Sequence, residues 1–313
     1  MRTASLKPAA RVAVRIASWL LSLAGLGFFV RLVMQQGIDL SLHPPGELIA
    51  VICAGAVVYA MAVVMLSLLW TALVQSGKPD PENRRLLVAS YLKSQFAKYL
   101  PGNVLQYAIR HALARRTGMG HGALAAAALL EAALLSCAAL ALVIWFGIPG
   151  LHLLFADAPQ IPRAYASLVL IVVPLLAWMP ERLRPAWLPR YRWSLIAGTL
   201  VGYAFFFILF GGLFFAVLAW CSVGGLPFLE VVSSSSLAWL VGFLVPGAPA
   251  GAGLRETALA LAAGATPPSQ NVLTAIVLFR LITLGGDLVA FLIGHYPTFA
   301  RRRSDAARAK GTL

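Results

Sequence analysis

The sequence predicts an all-α polytopic membrane protein with about six transmembrane helices and two short helical hairpins that enter the membrane without crossing it. Of the 313 residues, 60% are hydrophobic and 12% are charged. So few charges cannot cover the surface of a soluble globule of this size. The apolar residues form long runs, and Lys and Arg collect in alternate segments between them. The chain 1–313 is therefore expected to form one integral membrane domain.

Six apolar segments are long enough to be transmembrane helices, because a helix needs about 20 mainly apolar residues to cross the hydrocarbon core. The fourth segment is the shortest, and Pro174 within it predicts a kinked or tilted helix. The six predicted spans are 14–34, 47–75, 122–147, 164–179, 194–221 and 270–294.

The distribution of Lys and Arg between these spans predicts the orientation of the chain. Four basic residues lie in the N-terminal stretch 2–15, eight lie in 76–121, four in 180–193 and five in the tail 297–313. The three segments that alternate with these contain no basic residue, one basic residue and one basic residue, in chain order. Basic segments stay on the cytoplasmic side, so both termini are expected there, in a bacterial cytoplasmic (inner) membrane. These loops also explain the net charge of +14, and no nucleic-acid partner is predicted.

Two further apolar segments are each divided by a Pro-Gly pair. In Leu86–Arg116 the halves on either side of Pro101 have about 14 residues, or ~20 Å of helix against a core of ~30 Å. Glu230–Gly264 repeats this arrangement around Pro246. Both segments predict re-entrant helical hairpins around a polar cavity, which irregular backbone at membrane depth requires. A helix on the membrane surface is the alternative, and it is stronger for the first segment, which carries five basic residues.

The two hairpins divide the chain into similar halves, 14–147 and 164–294. Pro101 and Pro246 are 145 residues apart, and each hairpin is followed by a span that carries an ionisable residue. Three spans separate the hairpins, so they are expected to open from opposite sides of the membrane. This arrangement predicts an inverted repeat, which places a binding site near the midplane where broken helices meet.

A few ionisable residues lie within these segments, where an isolated charge costs about 2.5–3.5 kcal/mol. Guanidinium groups bind phosphate oxygens and helix N-termini expose N–H groups, so one interpretation is a site for an anionic head group. The other is a set of salt bridges, Glu131 with Arg280 and Arg255 with Glu256 or Asp287. The predicted residues are Arg110, Arg255, Arg280 and Asn103 for substrate binding, Glu131, Glu256 and Asp287 as charge partners or coupling groups, and Pro101, Gly102, Pro246, Gly247, Gly251 and Gly253 in the hairpin turns.

Catalytic motifs are absent from the sequence. It contains no HExxH, GxSxG, Walker or GxGxxG motif, and its five histidines lack the spacing of metal ligands. No catalytic residue, metal site or cofactor is predicted, and the chain is not expected to be an enzyme. The four serines Ser233–Ser236 are expected to bond carbonyl groups of their own helix rather than a substrate.

The order of these motifs resembles the lysylphosphatidylglycerol synthase transmembrane-domain family over most of the chain. The resemblance implies a flippase-like fold, which moves aminoacylated phosphatidylglycerol in multidomain members and is associated with other lipid or polyprenyl-linked intermediates in stand-alone members. Only a basic tail follows residue 296, so a stand-alone member without lysylphosphatidylglycerol synthesis is expected. The turn PGAPAGAGLRE is longer than the commoner PGG-x-G-x-R-E form. The similar residues are Tyr99–Asn103, Arg110, Leu129–Glu131, Val245–Gly247, Gly251–Glu256, Phe279 and Arg280.

The predicted function is movement of an anionic phospholipid or a polyprenyl-phosphate-linked lipid between leaflets. The expected partners are the membrane and the lipid head group, with a second copy of the chain or a biosynthetic enzyme as further candidates. Three alternatives remain open. They are a secondary transporter for a small anionic solute, a membrane-embedded lipid-modifying enzyme, and a structural subunit of a biosynthetic complex.

Overall fold

The computed structural model describes residues 44–76, 80–99, 105–147, 189–244, 251–262 and 268–310, with a few positions between 27 and 37. Within these ranges every regular element is helical. The predicted span 164–179, most of the span 14–34, Asn103 and the turn residues Pro101, Gly102, Pro246 and Gly247 lie outside the described residues. The α-helices are α1 (Pro45–Val74), α2 (Pro81–Ser94), α3 (Leu105–Ala114), α4 (His121–Phe146), α5 (Trp193–Trp220), α6 (Phe228–Leu244), α7 (Leu254–Ala262) and α8 (Gln270–Lys310), and short 3-10 helices follow α2 and α3.

Four helices, α1, α4, α5 and the first part of α8, are long and apolar enough to cross a membrane. Each has at least 26 residues and so reaches ~39 Å or more, beyond the ~30 Å hydrocarbon core. Apolar side chains such as Leu129 (65% exposed) and Val201 (69% exposed) point outward from them, as contact with lipid requires. The all-helical membrane fold is confirmed, and four of the six predicted spans coincide with these helices. Helix α8 continues past the predicted end at 294 to Lys310.

The four other helices are too short to cross. Helices α2, α3, α6 and α7 have 14, 10, 17 and 9 residues, respectively. The longest of them, α6, therefore reaches only ~26 Å. Helix α2 packs against α3, and α6 packs against α7. Two pairs of short helices therefore stand where the sequence predicts the two hairpins.

The two halves of the chain have the same order of helices and the same packing. A long helix, two short ones and a second long one occur as α1 to α4 and again as α5 to α8. The contacts between the halves are exchanged in a regular way. Helix α4 of the first half packs on α6 of the second, and α8 of the second half packs on α2 of the first. Likewise, α1 of the first half packs on α8, and α5 of the second half packs on α4. Helices α1 and α5 also pack against each other. Such exchange is what a pseudo-two-fold axis between internal repeats produces.

The start of α7 shows how the sequence positions the second hairpin. Gly251 and Gly253 have φ angles of +70° and +83°, a region that side chains with a Cβ atom disfavour. Glu256 then accepts the N–H of Gly253 through its Oε2 atom at 2.8 Å. This is the reverse half of a capping box, in which an acidic residue in the first turn satisfies an N–H group at the cap. The run G-x-G-x-R-E therefore fixes where α7 begins.

Small residues let α1 and α8 approach each other closely. A Cβ atom on Gly286 would lie 2.6 Å from Cδ1 of Tyr59 and 2.7 Å from the carbonyl oxygen of Ala56. Such contacts are typical of transmembrane helix pairs. The next residue on α8, Asp287, is fully buried. The close approach thus places a carboxylate inside the protein, where it needs a partner.

Candidate functional site

A polar cavity of about 60 Å³ lies among the described helices, between the short pairs and the spans. It has room for several water molecules or a small charged group. Three basic side chains and one carboxylate line it, namely Lys98, Arg110, Arg255 and Glu131. The polar wall is completed by Tyr59, Tyr91, Gln95, Gln106 and Tyr107.

Arg110 is held firmly on one side of this cavity. Its Nη1 atom donates to Oε2 of Glu131 at 2.5 Å, and the two side chains are 3% and 1% exposed. The guanidinium carbon lies 3.8 Å from the ring centre of Tyr91, 5.3 Å from that of Trp70 and 5.2 Å from that of Tyr107, within the range of cation-π attraction. The charge of Arg110 is therefore matched inside the protein.

Arg280 is also paired. Its Nε atom lies 3.0 Å from Oε1 of Glu256, whose other oxygen accepts the N–H of Gly253. Glu256 therefore both caps α7 and joins α7 to α8. A second cavity, of about 20 Å³, lies beside this pair and is lined by Arg255, Glu256 and Arg280 together with aromatic and aliphatic side chains.

Asp287 forms the third buried pair, with Lys98. The Nζ atom of Lys98 lies 2.7 Å from the carboxylate, and the hydroxyl of Tyr99 donates to Oδ2 at 2.5 Å. Lys98 and Tyr99 lie in the 3-10 helix that follows α2, whereas Asp287 lies on α8 of the other half. This pair therefore joins the 3-10 helix after α2 to α8.

Arg255 differs from the other three basic residues because no carboxylate pairs with it among the described residues. Its Nε atom is buried and has no hydrogen-bond partner there. Its guanidinium carbon lies 5.9 Å from the ring centre of Trp239. The side chain lines both cavities. A partly buried guanidinium without a carboxylate leaves an excess positive charge at their junction, which an anionic ligand can neutralise.

Two glycines make room for the Arg255 side chain. A Cβ atom on Gly242 of α6 would lie 2.6 Å from both Cγ and Nε of Arg255. A Cβ atom on Gly251 would lie 2.9 Å from that same Nε atom and 2.7 Å from Cα of Gly242. The absence of side chains at these positions therefore lets Arg255 lie against the backbone of α6.

Gly242→Ala is expected to displace Arg255 and to weaken the binding of an anion about tenfold, the equivalent of about 1.4 kcal/mol. The measurement is calorimetric titration of the purified protein with inorganic sulfate, with circular dichroism to check the helical content. Gly198→Ala is the matched control, because a Cβ atom at that helical position meets nothing within 4 Å. Equal sulfate affinity in the two variants would contradict the role given to Gly242.

The structure brings Arg110, Arg255 and Arg280 together along two adjoining cavities. The salt bridges expected from the sequence were wrong. Glu131 pairs with Arg110 and not with Arg280, and Arg255 pairs with neither Glu256 nor Asp287. In two of the observed pairs, one residue lies on a short helix and the other lies on the next long helix of the same half. The spacing of residues along a single helix cannot reveal such a pair.

The serines of α6 behave largely as the sequence predicts. Ser234 donates to the carbonyl of Glu230, and Ser235 and Ser236 both donate to that of Val232. Ser233 is the exception, because it donates to the carbonyl of Gly147 at the end of α4. The three confirmed bonds leave these hydroxyls committed to their own helix, so they take no part in the candidate site.

Sequence analysis missed Lys98, Tyr99 and Gly242. Lys98 was counted among the charges that weigh against insertion of the first hairpin, although its position three residues before Pro101 placed it close to the predicted turn. Tyr99 follows it directly. Gly242 carried no signal, because one glycine in an apolar helix predicts nothing about the side chain that packs against it.

No protein-family model matches the chain, and no curated protein matches its sequence. The resemblance to the lysylphosphatidylglycerol synthase transmembrane-domain family therefore stays a prediction. The geometry around Arg255 is the basis for assigning a function.

Proposed function

We propose that this protein moves an anionic lipid, either a phospholipid or a polyprenyl-phosphate-linked lipid, between the leaflets of the membrane. The guanidinium of Arg255, which is partly buried and whose Nε atom is fully buried without a hydrogen-bond partner among the described residues, supports this function. Burial of an ion without a partner is unfavourable, and a ligand phosphate can supply the missing negative charge. Guanidinium remains protonated and binds phosphate oxygens in a bidentate fashion. The head group thus binds beside Arg255, while the paired Arg110 and Arg280 make the surroundings more positive.

A second pocket favours a lipid over a free solute. It has a volume of about 530 Å³ and lies between α3, α4 and the end of α6, with a mainly apolar lining. Tyr107, Arg110 and Phe243 line both this pocket and the polar cavity. A ligand with a phosphate head and a hydrocarbon tail matches the two adjoining environments, whereas a small hydrophilic anion would leave the apolar pocket unused.

The proposal includes a topology. The α2–α3 and α6–α7 pairs are re-entrant hairpins that open from opposite sides, and the chain is an inverted repeat with six spans and cytoplasmic termini in a bacterial inner membrane. The exchanged packing of the two halves supports the repeat. The Pro-Gly turns of the hairpins act as gates on either side of the polar cavity, as broken helices do in transporters built from inverted repeats. On this proposal the protein is a relative of the flippase-like family that it resembles.

The test is reconstitution into liposomes that contain a panel of anionic phospholipids and polyprenyl phosphates. Head groups in the outer leaflet are labelled over time, and the products are weighed by mass spectrometry. Transfer of an unaltered lipid, at a rate well above that of protein-free liposomes, is the expected result. A lipid of altered mass would make the protein an enzyme, and uptake of a small anion without lipid transfer would make it a solute transporter. Either of these outcomes would overturn the proposal.

Filling the apolar pocket should separate tail binding from head-group binding. Ala132→Leu adds volume to a residue that lines the pocket, and we expect it to slow lipid transfer about tenfold, since overpacking costs about 1–3 kcal/mol. Sulfate binding should stay unchanged. Ala133→Leu is the matched control, because the neighbouring residue on α4 does not line the pocket. A loss of transfer in both variants would mean that added volume at any position on this part of α4 slows transfer, and that the pocket has no special role.

A further inference from the structure

The ion pairs around the two adjoining cavities leave one positive charge in excess among the described residues. Three basic side chains each pair with a carboxylate, namely Lys98 with Asp287, Arg110 with Glu131 and Arg280 with Glu256. Arg255 has no such partner in this part of the chain. The turn segments 100–104 and 245–250, which lie outside the described residues, contain no ionisable residue. A ligand with a single negative charge therefore makes this group of side chains electrically neutral.

One negative charge suits such a site better than two. Attraction to the Arg255 guanidinium grows in proportion to the charge of the ligand, whereas the cost of removing the ligand from water grows with the square of that charge. A phosphodiester carries one negative charge, and a phosphomonoester carries about 1.5 to 2 at pH 7. A bound monoester would thus leave a negative charge that no group in the described cavity lining balances.

Gln95 presents an unused amide group to the polar cavity. It begins the 3-10 helix that follows α2, it is 6% exposed, and it lines the cavity together with Gln106 of α3. Its side chain forms no hydrogen bond with any of the described residues. Most buried polar side chains have such a partner. The amide can both donate and accept hydrogen bonds, so its position indicates a ligand group that does the same.

A hydroxyl group is the ligand group that fits this amide, because a hydroxyl also donates and accepts. An ammonium group can only donate, and it would bring a like charge close to Lys98 and Arg255 in the same cavity. A further carboxylate would add a second negative charge. The cavity therefore favours a head group that is rich in hydroxyl groups and uncharged apart from its phosphate.

We infer that the ligand is a phosphodiester whose head group carries hydroxyl groups and no charge of its own, with the phosphate beside Arg255 and a hydroxyl bound by Gln95. This inference rests on the proposed function, since it names the class of lipid that the same site takes. A phospholipid with a polyol head group and a polyprenyl phosphosugar share this chemistry. Lipid phosphomonoesters, lipid diphosphates and lipids with an ammonium head group are excluded as preferred ligands.

Soluble head-group analogues test the inference on the purified wild-type protein. Calorimetric titration at about pH 8, where a monoester is doubly charged, compares glycerophosphoglycerol with three probes that each change one feature. Dimethyl phosphate lacks hydroxyl groups, glycerol phosphate carries a second negative charge, and glycerophosphoethanolamine carries an ammonium group. We expect glycerophosphoglycerol to bind at least about tenfold more tightly than each of them.

Gln95→Leu should remove the preference for glycerophosphoglycerol over dimethyl phosphate and leave the affinity for dimethyl phosphate unchanged. The variant should fold as stably as the wild type, because the amide that it removes has no partner among the described residues. Gln75→Leu is the matched control, because Gln75 caps the end of α1 and lines none of the three pockets. If Gln95→Leu folds poorly, Gln106→Leu removes the other amide of the cavity wall.

Liposomes then distinguish the two sources of the head group. Transfer of phosphatidylinositol or of a polyprenyl phosphoglucose, faster than that of phosphatidic acid, supports the inference and shows which kind of lipid supplies the phosphodiester. Faster transfer of phosphatidic acid than of both would overturn it.

The binding outcomes separate this inference from the proposed function. Arg255-dependent binding of dimethyl phosphate with no preference for glycerophosphoglycerol would overturn the inference alone, and so would tighter binding of glycerol phosphate. A preference that persists in both Gln95→Leu and Gln106→Leu would also overturn it. If no probe binds the wild-type protein in a manner that depends on Arg255, the head-group site itself is wrong and the inference fails with it.

Discussion

Glu131→Ala is expected to lower the free energy of unfolding by about 3–5 kcal/mol, the largest loss of stability that we predict for this protein. The change leaves the Arg110 guanidinium buried at 3% exposure without its carboxylate. The surrounding rings of Trp70 and Tyr91 attract the cation but cannot accept its hydrogen bonds as an oxygen does. Unfolding in detergent micelles with increasing dodecyl sulfate, followed by circular dichroism, measures the change.

The double variant Arg110→Met with Glu131→Leu should recover most of this loss, because removing both charges also removes the unpaired ion. Glu47→Ala is a control for the loss of any glutamate, since Glu47 is exposed in the first turn of α1. It should change the stability by less than about 1 kcal/mol. If Glu131→Ala and Glu47→Ala unfold at the same dodecyl sulfate concentration, Arg110 and Glu131 do not form the buried pair described above.

The long helices could be predicted from the sequence to within one or two residues at most ends. The predicted spans 122–147 and 194–221 correspond to His121–Phe146 and Trp193–Trp220. This accuracy has a physical cause, because the thickness of the membrane fixes the length of an apolar run and polar residues or glycine mark its ends. Helix α8 was predicted too short, because its basic end is rich in Ala and Arg, which favour helix even outside the apolar run.

The ion pairs could not be predicted, because they depend on which helices meet. Lys98 and Asp287 are 189 residues apart, and no local pattern relates them. Periodicity shows that Arg280 and Asp287 share a face of α8, but that face meets α7 at one level and the 3-10 helix after α2 at another. Arg280 therefore pairs with Glu256, and Asp287 with Lys98.

The matching helix order of the two halves accounts for the lack of a carboxylate partner for Arg255 among the described residues. Arg110 and Arg255 each follow the proline of their hairpin by nine residues, so they occupy equivalent positions in the two halves. Glu131 pairs with the first arginine. The residue equivalent to Glu131 in the second half is Ile276, which is buried and lines the smaller cavity with Arg255. Among the described residues, the two matching halves thus supply two arginines and one carboxylate at these positions, and the difference leaves a positive site where the proposed head group binds.

Arg255→Gln is accordingly expected to weaken sulfate binding about 10- to 100-fold, since hydrogen bonds to a charged group contribute about 1.5–3 kcal/mol, and to abolish lipid transfer. Its stability should stay the same or increase, because the change removes a partly buried charge that has no carboxylate partner among the described residues. A fall in function without a fall in stability distinguishes a binding role from a structural one. Arg192→Gln is the matched control, because Arg192 is exposed just before α5 and lies outside all three pockets.

Ile276→Glu tests the same site by the opposite change, since it keeps Arg255 and supplies a carboxylate at the position equivalent to Glu131. We expect the new glutamate to pair with Arg255 as Glu131 pairs with Arg110, and so to compete with an anionic ligand for the guanidinium. Sulfate affinity should then fall as it does in Arg255→Gln, although the arginine is still present. Adding Arg255→Gln to Ile276→Glu should cause little further loss of affinity, because both changes act on one interaction. Strong sulfate binding or rapid lipid transfer in either single variant would show that the anion binds elsewhere.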